Sequence, residues 1–266
     1  MPSLYDYRDC IRIRSRLSMF DDGAEALHYY VEVVRLINDV ILRTASGVIL
    51  FDAIKRSGQR VTIQPLGTNE YNAFASPSDW ADATPAGRTA LQCGGAATGQ
   101  AIRGRWQHVD DRLGTDWFDD ETIGTGEGTA STVRFTPGTF ANAPASAASC
   151  AVPGGAGWRA DEVLFHELCH SYRHTVGRAL CDATNMGTYD TLEEFFAIVV
   201  ANVYLSENGG ASAQLRSNHH GFCTITTPAA FPSTPRDTTL LARIRREERA
   251  YCGRLHNEVT ATFNPF

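Results

Sequence analysis

The stretch LFHELCHSYRH, Leu164 to His174, contains the pattern His-Glu-x-x-His. Helical residues four apart lie on one face, so His166 and His170 can bring both imidazoles to a single metal ion. Glu167, one position on, is turned aside into the place where zinc peptidases keep their general base. With 8 histidines in 266 residues, random placement gives roughly 0.01 expected matches to this pattern. The alternative, two helix histidines that bond core carbonyls or sit at the surface, is weaker because the helical context fits. Asp161 and Glu162 fall in the first turn of a helix expected from about Arg159 to Thr175, where the helix dipole favours negative charge, and Gly177 follows its end. Cys169, inside the motif, reads as a small packing residue.

Two imidazoles need a third ligand. His174 extends the four-residue series but lies eight residues from His166, about 12 Å of helix rise, whereas zinc sits about 2.1 Å from each ligating nitrogen. One straight helix cannot close that gap, so His174 is set aside as a surface or outer residue. The pattern in which a glycine ends the helix and a third histidine follows also fails, with Arg173 at the glycine and Val176 at the histidine. The better source is YDTLEEFFAIVVANVYLSENGG, a second helix opening near Asp190 or Thr191 and ending before Gly209 and Gly210. Its nearly continuous apolar run implies burial on most sides. Glu193 and Glu194 open it, and a buried carboxylate calls for a compensating charge, which a metal ion would supply. A capping box, Asp190 with Glu193 or Thr191 with Glu194, would use one of the pair. Glu194 is favoured as ligand because it begins Glu-x-x-Ala, where Ala197 lets the motif helix approach closely. Glu193 is the reserve choice.

Three protein ligands leave a fourth position for water, the open arrangement of a catalytic zinc site. Zn2+ would bring that water's pKa toward about 7 and polarise a carbonyl, with Glu167 taking the proton and returning it to the leaving amine. Stabilising the oxygen that gains charge requires a donor. SNHHGF offers His219 and His220, and Tyr204 or Tyr189 offers a phenol.

Elsewhere the period of apolar residues organises the chain. Leu27, Tyr30, Val31, Val34, Ile37 and Ile41 predict an amphipathic helix that stops near Gly47, followed by a shorter one ended by Gly58. RVTIQPL predicts a strand from Arg60 to Leu66, and STVRFTP another from Ser131 to Pro137. Between Asn69 and Gly128, a Gly-, Ala-, Thr- and Asp-rich region with Trp80, Trp106 and Trp117, short strands or hairpins are expected. GTFANAPASAASCAVPGGAG reads as a flexible surface loop. A last helix is expected from about Asp237 to Cys252, its Arg243–Arg249 cluster a solvated face that includes Glu247 and Glu248. Without a repeat or boundary, residues 1–266 read as a single domain.

The net charge of −6 argues against nucleic acid as main partner, and no apolar run reaches the roughly 18 residues of a membrane span. MPSLYDYRDC lacks a basic-then-apolar signal pattern. Seven scattered cysteines, without a Cys-x-x-Cys pair, do not indicate a disulfide framework or a cysteine metal cage.

With HELCH, the Glu-Glu helix and SNHHGF in this order, the chain resembles the NleD-like zinc metallopeptidases of bacterial secreted effectors and polymorphic-toxin modules. The likeness covers roughly residues 47–231, including GTGEGTASTVRFTP and EEFFAIVVANVYLSE. It implies an α+β, zincin-like fold with the motif helix packed on a small mixed sheet, a protein or peptide substrate, and secretion by a non-Sec route; otherwise the chain would be cytoplasmic. By the same likeness His166, His170 and Glu194 hold zinc, Glu167 is the base, and STVRFTP is the edge strand that aligns an extended substrate. Ile198 departs from a related pattern in which a carboxylate at that place supports a ligand histidine, so some other group must orient the imidazoles. Two rival readings are a zinc hydrolase of a non-protein amide, such as a cell-wall crosslink, and a non-catalytic metal-binding protein.

Overall fold

The computed structural model of the protein describes residues 4–15, 23–67, 73–77, 102–110, 115–123, 126, 128–141, 156–179, 183–186, 189–219, 225–231 and 235–266. Strands β1 (Leu4–Arg8) and β2 (Ile11–Arg14) form a hairpin that precedes helices α1 (Gly23–Arg35) and α2 (Ala45–Arg56). There follow β3 (Val61–Gln64), β4 (Phe74–Pro77), the hairpin β5 (Ile102–Asp110) and β6 (Thr115–Ile123), and β7 (Ser131–Arg134). A short helix α3 (Pro137–Ala141) leads to the motif helix α4 (Ala160–Thr175). Strands β8 (Ala183–Met186) and β9 (Tyr189–Thr191) run into α5 (Leu192–Gly209). After β10 (Leu215–Arg216) and β11 (Ile225–Thr226) come α6 (Pro235–Glu247) and α7 (Arg249–Glu258). The architecture is mixed α+β, and among the described residues no helix is long and apolar enough to cross a membrane.

The main sheet has the order β1-β2-β3-β7-β4 and is mixed: β2, β3 and β7 run parallel, while the two edge strands run antiparallel to their neighbours. The register aligns Ile13, Ile63, Val133 and Ala75 across the sheet, and one row away Ile11, Val61, Ser131 and Pro77. Alternate residues share a face, so these two rows together form the apolar side; Ile11, Ile13, Val61, Ile63 and Val133 are fully buried. Helix α4 packs against β7 and β4 from this side, and Ser131 Oγ bonds Ser171 Oγ on the helix at 3.0 Å. Buried residues from Cys10 to Phe263 form one contiguous core.

Helices α4 and α5 lie against each other, with Phe165 and Tyr204 stacked at 4.5 Å between centroids. Ala197, fully buried, gives the room this approach needs. Most side chains of α4 are buried, which a helix with so many polar residues tolerates only if those groups find partners. In its first turn, Glu162 accepts from the Gly157 amide at 2.5 Å, and Asp161 accepts from Arg159 and from Tyr204 on α5. At the far end of α5, Glu207 receives the Ala45 and Ser46 amides at 2.6 and 3.0 Å, placing a carboxylate on the positive N-terminus of α2.

The glycine-rich approach to β7 has a steric cause. Residues 126, 128 and 129 lie against the C-terminal end of α4, where Gly126 N reaches Gly177 O at 3.1 Å and Thr129 N reaches His174 O at 3.0 Å. Gly128 has φ +68°, and a Cβ there would lie 2.0 Å from Thr175 O.

Several expectations need correction. STVRFTP is not an edge: β7 is hydrogen-bonded on both sides, and the edge is β4, whose four residues FASP show no readable alternation. The first helix does not stop at Gly47. It passes through a π-helical turn and a 3-10 turn to Thr44, whose Oγ1 accepts from Gly47 N at 2.9 Å and caps α2. The stretch expected to be a surface loop is anchored at both ends, since Phe140 and Trp158 are buried and Phe140 stacks on Phe135; residues 142–155 lie outside the described residues. The last helix is two helices broken at Glu248, and the expected solvated face is partly internal, with Arg243 and Glu248 buried. Glu248 is 1% exposed because it answers Arg173, 75 residues earlier in the chain.

Candidate metal centre

The first turn of α5 meets the middle of α4. Thr191, in extended conformation, caps α5 by accepting from Glu194 N at 3.3 Å. The two consecutive glutamates then diverge. Glu193 turns to Arg173, whose Nε donates to its Oε1 at 2.9 Å, while Glu194 turns to the motif histidines.

His166 Nε2 and His170 Nε2 are 3.1 Å apart, and Glu194 Oε2 lies 3.4 Å from the first and 3.5 Å from the second. Among the described residues these are the group whose ligand atoms converge, all within 4.8 Å of one another. A tetrahedral ion with bonds of 2.0–2.1 Å separates its ligand atoms by about 3.3 Å, so the observed triangle has the size of one face of such a site. Glu194 Oε2 is buried and accepts no hydrogen bond, and the outer nitrogen of His166, Nδ1, is likewise buried without a partner. The donor set, two imidazoles and a carboxylate, suits zinc. These residues fit the ion.

Electrostatics within the cluster run in opposite directions. Burial holds His166 down to about 3, against the pull of Glu194. For His170 burial again opposes the charge, but Glu194 outweighs it and lifts the pKa to about 9. Glu194 is held well below the ordinary range: burial would raise it, and the His170 charge with both imidazoles prevails.

Glu167 points elsewhere. It is 7% exposed, its pKa is pushed up to about 7 by burial, and its carboxylate accepts from the Ala75 amide on edge strand β4. That partner lies where sequence reasoning had no signal, on a strand of four residues.

His219, three residues beyond β10, stands with Nε2 3.2 Å from Glu194 Oε2 and its side chain 30% exposed. Its loop is fixed by Asn202 on α5, fully buried, which donates to Arg216 O at 2.7 Å and accepts from Arg216 N at 2.9 Å. Arg216 in turn reaches His219 O at 3.4 Å. His220 lies outside the described residues.

Tyr204, one of the two phenols the sequence offers, is engaged on the facing helix. Its hydroxyl is buried and donates to Asp161 Oδ2 at 2.6 Å, and burial with that carboxylate pushes its pKa up; its one proton is spent there. Tyr189 is buried edge-on against Phe195. His174 takes no part in the cluster, as its spacing required; it is partly buried, its Nδ1 contacts Ser131 Oγ at 3.1 Å, and burial holds its pKa down to about 3. Cys169 is fully buried and free, and Cys10 and Cys252 are free and buried. Ile198 is fully buried in the core.

No protein-family model, curated protein or solved structure matches this chain.

Proposed function

We propose that the chain is a zinc-dependent hydrolase of peptide bonds with a zincin-like arrangement, in which His166, His170 and Glu194 hold the ion. The observation that carries this reading is the triangle of donor atoms with edges of 3.1, 3.4 and 3.5 Å, matching the spacing around tetrahedral zinc. When bound, the ion would act as a Lewis acid toward a carbonyl and acidify a water. Glu167 takes the proton of the attacking water and passes it to the leaving nitrogen, and a pKa of about 7 suits both directions of transfer at neutral pH. The Ala75 amide fixes that carboxylate and keeps it beside β4, whose outer edge offers backbone groups to an extended substrate. His219, on the more open side of Glu194, is the donor to the oxygen that gains charge. The likeness to NleD-like effector and toxin peptidases extends the reading to a protein target reached by a non-Sec route.

Glu167→Gln tests it. The variant keeps the shape of the side chain, so zinc content is expected to stay at the wild-type level while peptide turnover falls by about 10²–10⁴. Unchanged turnover on a panel of proteins and peptides would sink the catalytic role. Cleavage of peptidoglycan fragments with no peptide cleaved would move the substrate to a non-protein amide.

A further inference from the structure

Glu193 and Glu194 are chemically identical neighbours at the start of one helix, and the fold must decide which of them faces the imidazoles. The side chain that decides lies on α4, three residues past His170. Arg173 is 1% exposed. Its Nε donates to Glu193 Oε1 at 2.9 Å, Nη1 donates to Glu248 Oε1, and Nη2 reaches Glu247 Oε2 at 3.4 Å. Its guanidinium carbon lies over the Phe196 ring on α5, 5.1 Å from the ring centroid. The two distal carboxylates are themselves braced: Glu248 takes the Tyr172 hydroxyl at 2.6 Å and Arg178 at 3.3 Å, and Glu247 takes Arg243 at 2.9 Å.

Such a cluster is costly to assemble, and removing one member leaves an uncompensated buried charge. Consecutive helical residues point about 100° apart, so a Glu193 held on Arg173 fixes the direction left for Glu194. We propose that Arg173 is the positioning residue of the metal centre. By binding Glu193 it leaves Glu194 as the carboxylate that meets His166 and His170, and by binding Glu247 and Glu248 it ties helices α6 and α7 into the assembly of the centre. Without Arg173, Glu193 loses the guanidinium that donates to its Oε1, and a second carboxylate one residue from the ligand can turn toward the ion. The inference rests on the metal reading above.

The test uses the full chain, zinc affinity measured by competition with a chromophoric chelator, and the visible spectrum of the cobalt-substituted protein. Glu193→Gln is expected to bind zinc within about threefold of wild type with unchanged cobalt bands, because it removes no ligand. Arg173→Met is expected to lose about 10–100-fold in affinity, as outer partners of metal sites do, and to shift the cobalt bands. Arg173→Met combined with Glu193→Gln should recover most of that loss, which a packing defect alone would not allow. The proposal is overturned if Arg173→Met keeps wild-type affinity and bands, if the double variant is no better than the single one, or if Glu193→Gln loses zinc. Should the methionine variants not fold, Arg173→Lys keeps the charge and should stay within about tenfold of wild type; a folded lysine variant without zinc overturns the proposal equally. Absence of zinc from the wild-type chain would overturn both the metal reading and this one, whereas the outcomes above overturn this one alone.

Discussion

Asn202→Leu removes a side chain that acts as a substitute strand. The Asn202 amide is fully buried and supplies both hydrogen bonds to the backbone of Arg216, at 2.7 and 2.9 Å. Leucine fills a similar volume and offers neither. The Arg216 N–H and C=O are backbone groups and cannot be removed with their partner, so each pays the cost of a buried unsatisfied group, about 1–3 kcal/mol. Leucine returns about 1–2 kcal/mol through its apolar surface, so at the middle of these ranges the net loss is about 2.5 kcal/mol. For a chain of this size that lowers Tm by about 5–10 °C. Urea titration should show the midpoint falling with its slope unchanged, since a changed slope would mean altered compactness instead. Glu194 lies more than two turns earlier on α5, so zinc content should hold, whereas turnover should fall because His219 follows three residues after Arg216. Stability within about 0.5 kcal/mol of wild type, the ordinary range for an inconsequential surface change, would refute the claim that this amide holds the His219 loop.

Glu162 is fully buried, and burial raises its pKa from 4.5 to about 7. Between those pH values the unfolded chain gives up a proton that the folded chain keeps, so stability falls as pH rises from about 4.5 and levels off above about 7, a loss of about 3 kcal/mol. In Glu162→Gln that slope should vanish, so its thermal stability relative to wild type should improve from pH 4.5 to pH 8; parallel melting curves would count against the buried charge. Gly128→Ala should cost more than about 1 kcal/mol, because it adds left-handed backbone strain to a clash with Thr175 O. A wild-type denaturation midpoint in that variant would show that the crossing of α4 is not tight.

Period and spacing made much of this legible. The HELCH helix falls within one residue of its expected start, because an acidic first turn and a following glycine mark its ends; α5 is capped at Thr191, one of the two residues the sequence offered. Exclusion of His174 from the cluster followed from helix rise alone. Sequence favours Glu194 over Glu193 through Ala197, although both suit a metal and both suit a cap; nothing local announces the bond that Glu193 makes with Arg173. The edge strand was hidden for a different reason. FASP has neither alternation nor a β-branched residue, and its place is set by pairing with β7 rather than by its own propensity. Glu248 reads as a surface charge among arginines, and nothing local to it announces a buried partner 75 residues earlier. Tyr204 reads as an available phenol until Asp161, on the facing helix, is seen to claim it.

Elemental analysis of the purified chain tests the central claim most directly. One zinc per chain is expected in wild type and in Glu193→Gln, and far less than one in Glu194→Ala and His170→Ala, since the ion would lose one of three protein ligands. Stoichiometric zinc retained by Glu194→Ala would contradict the account.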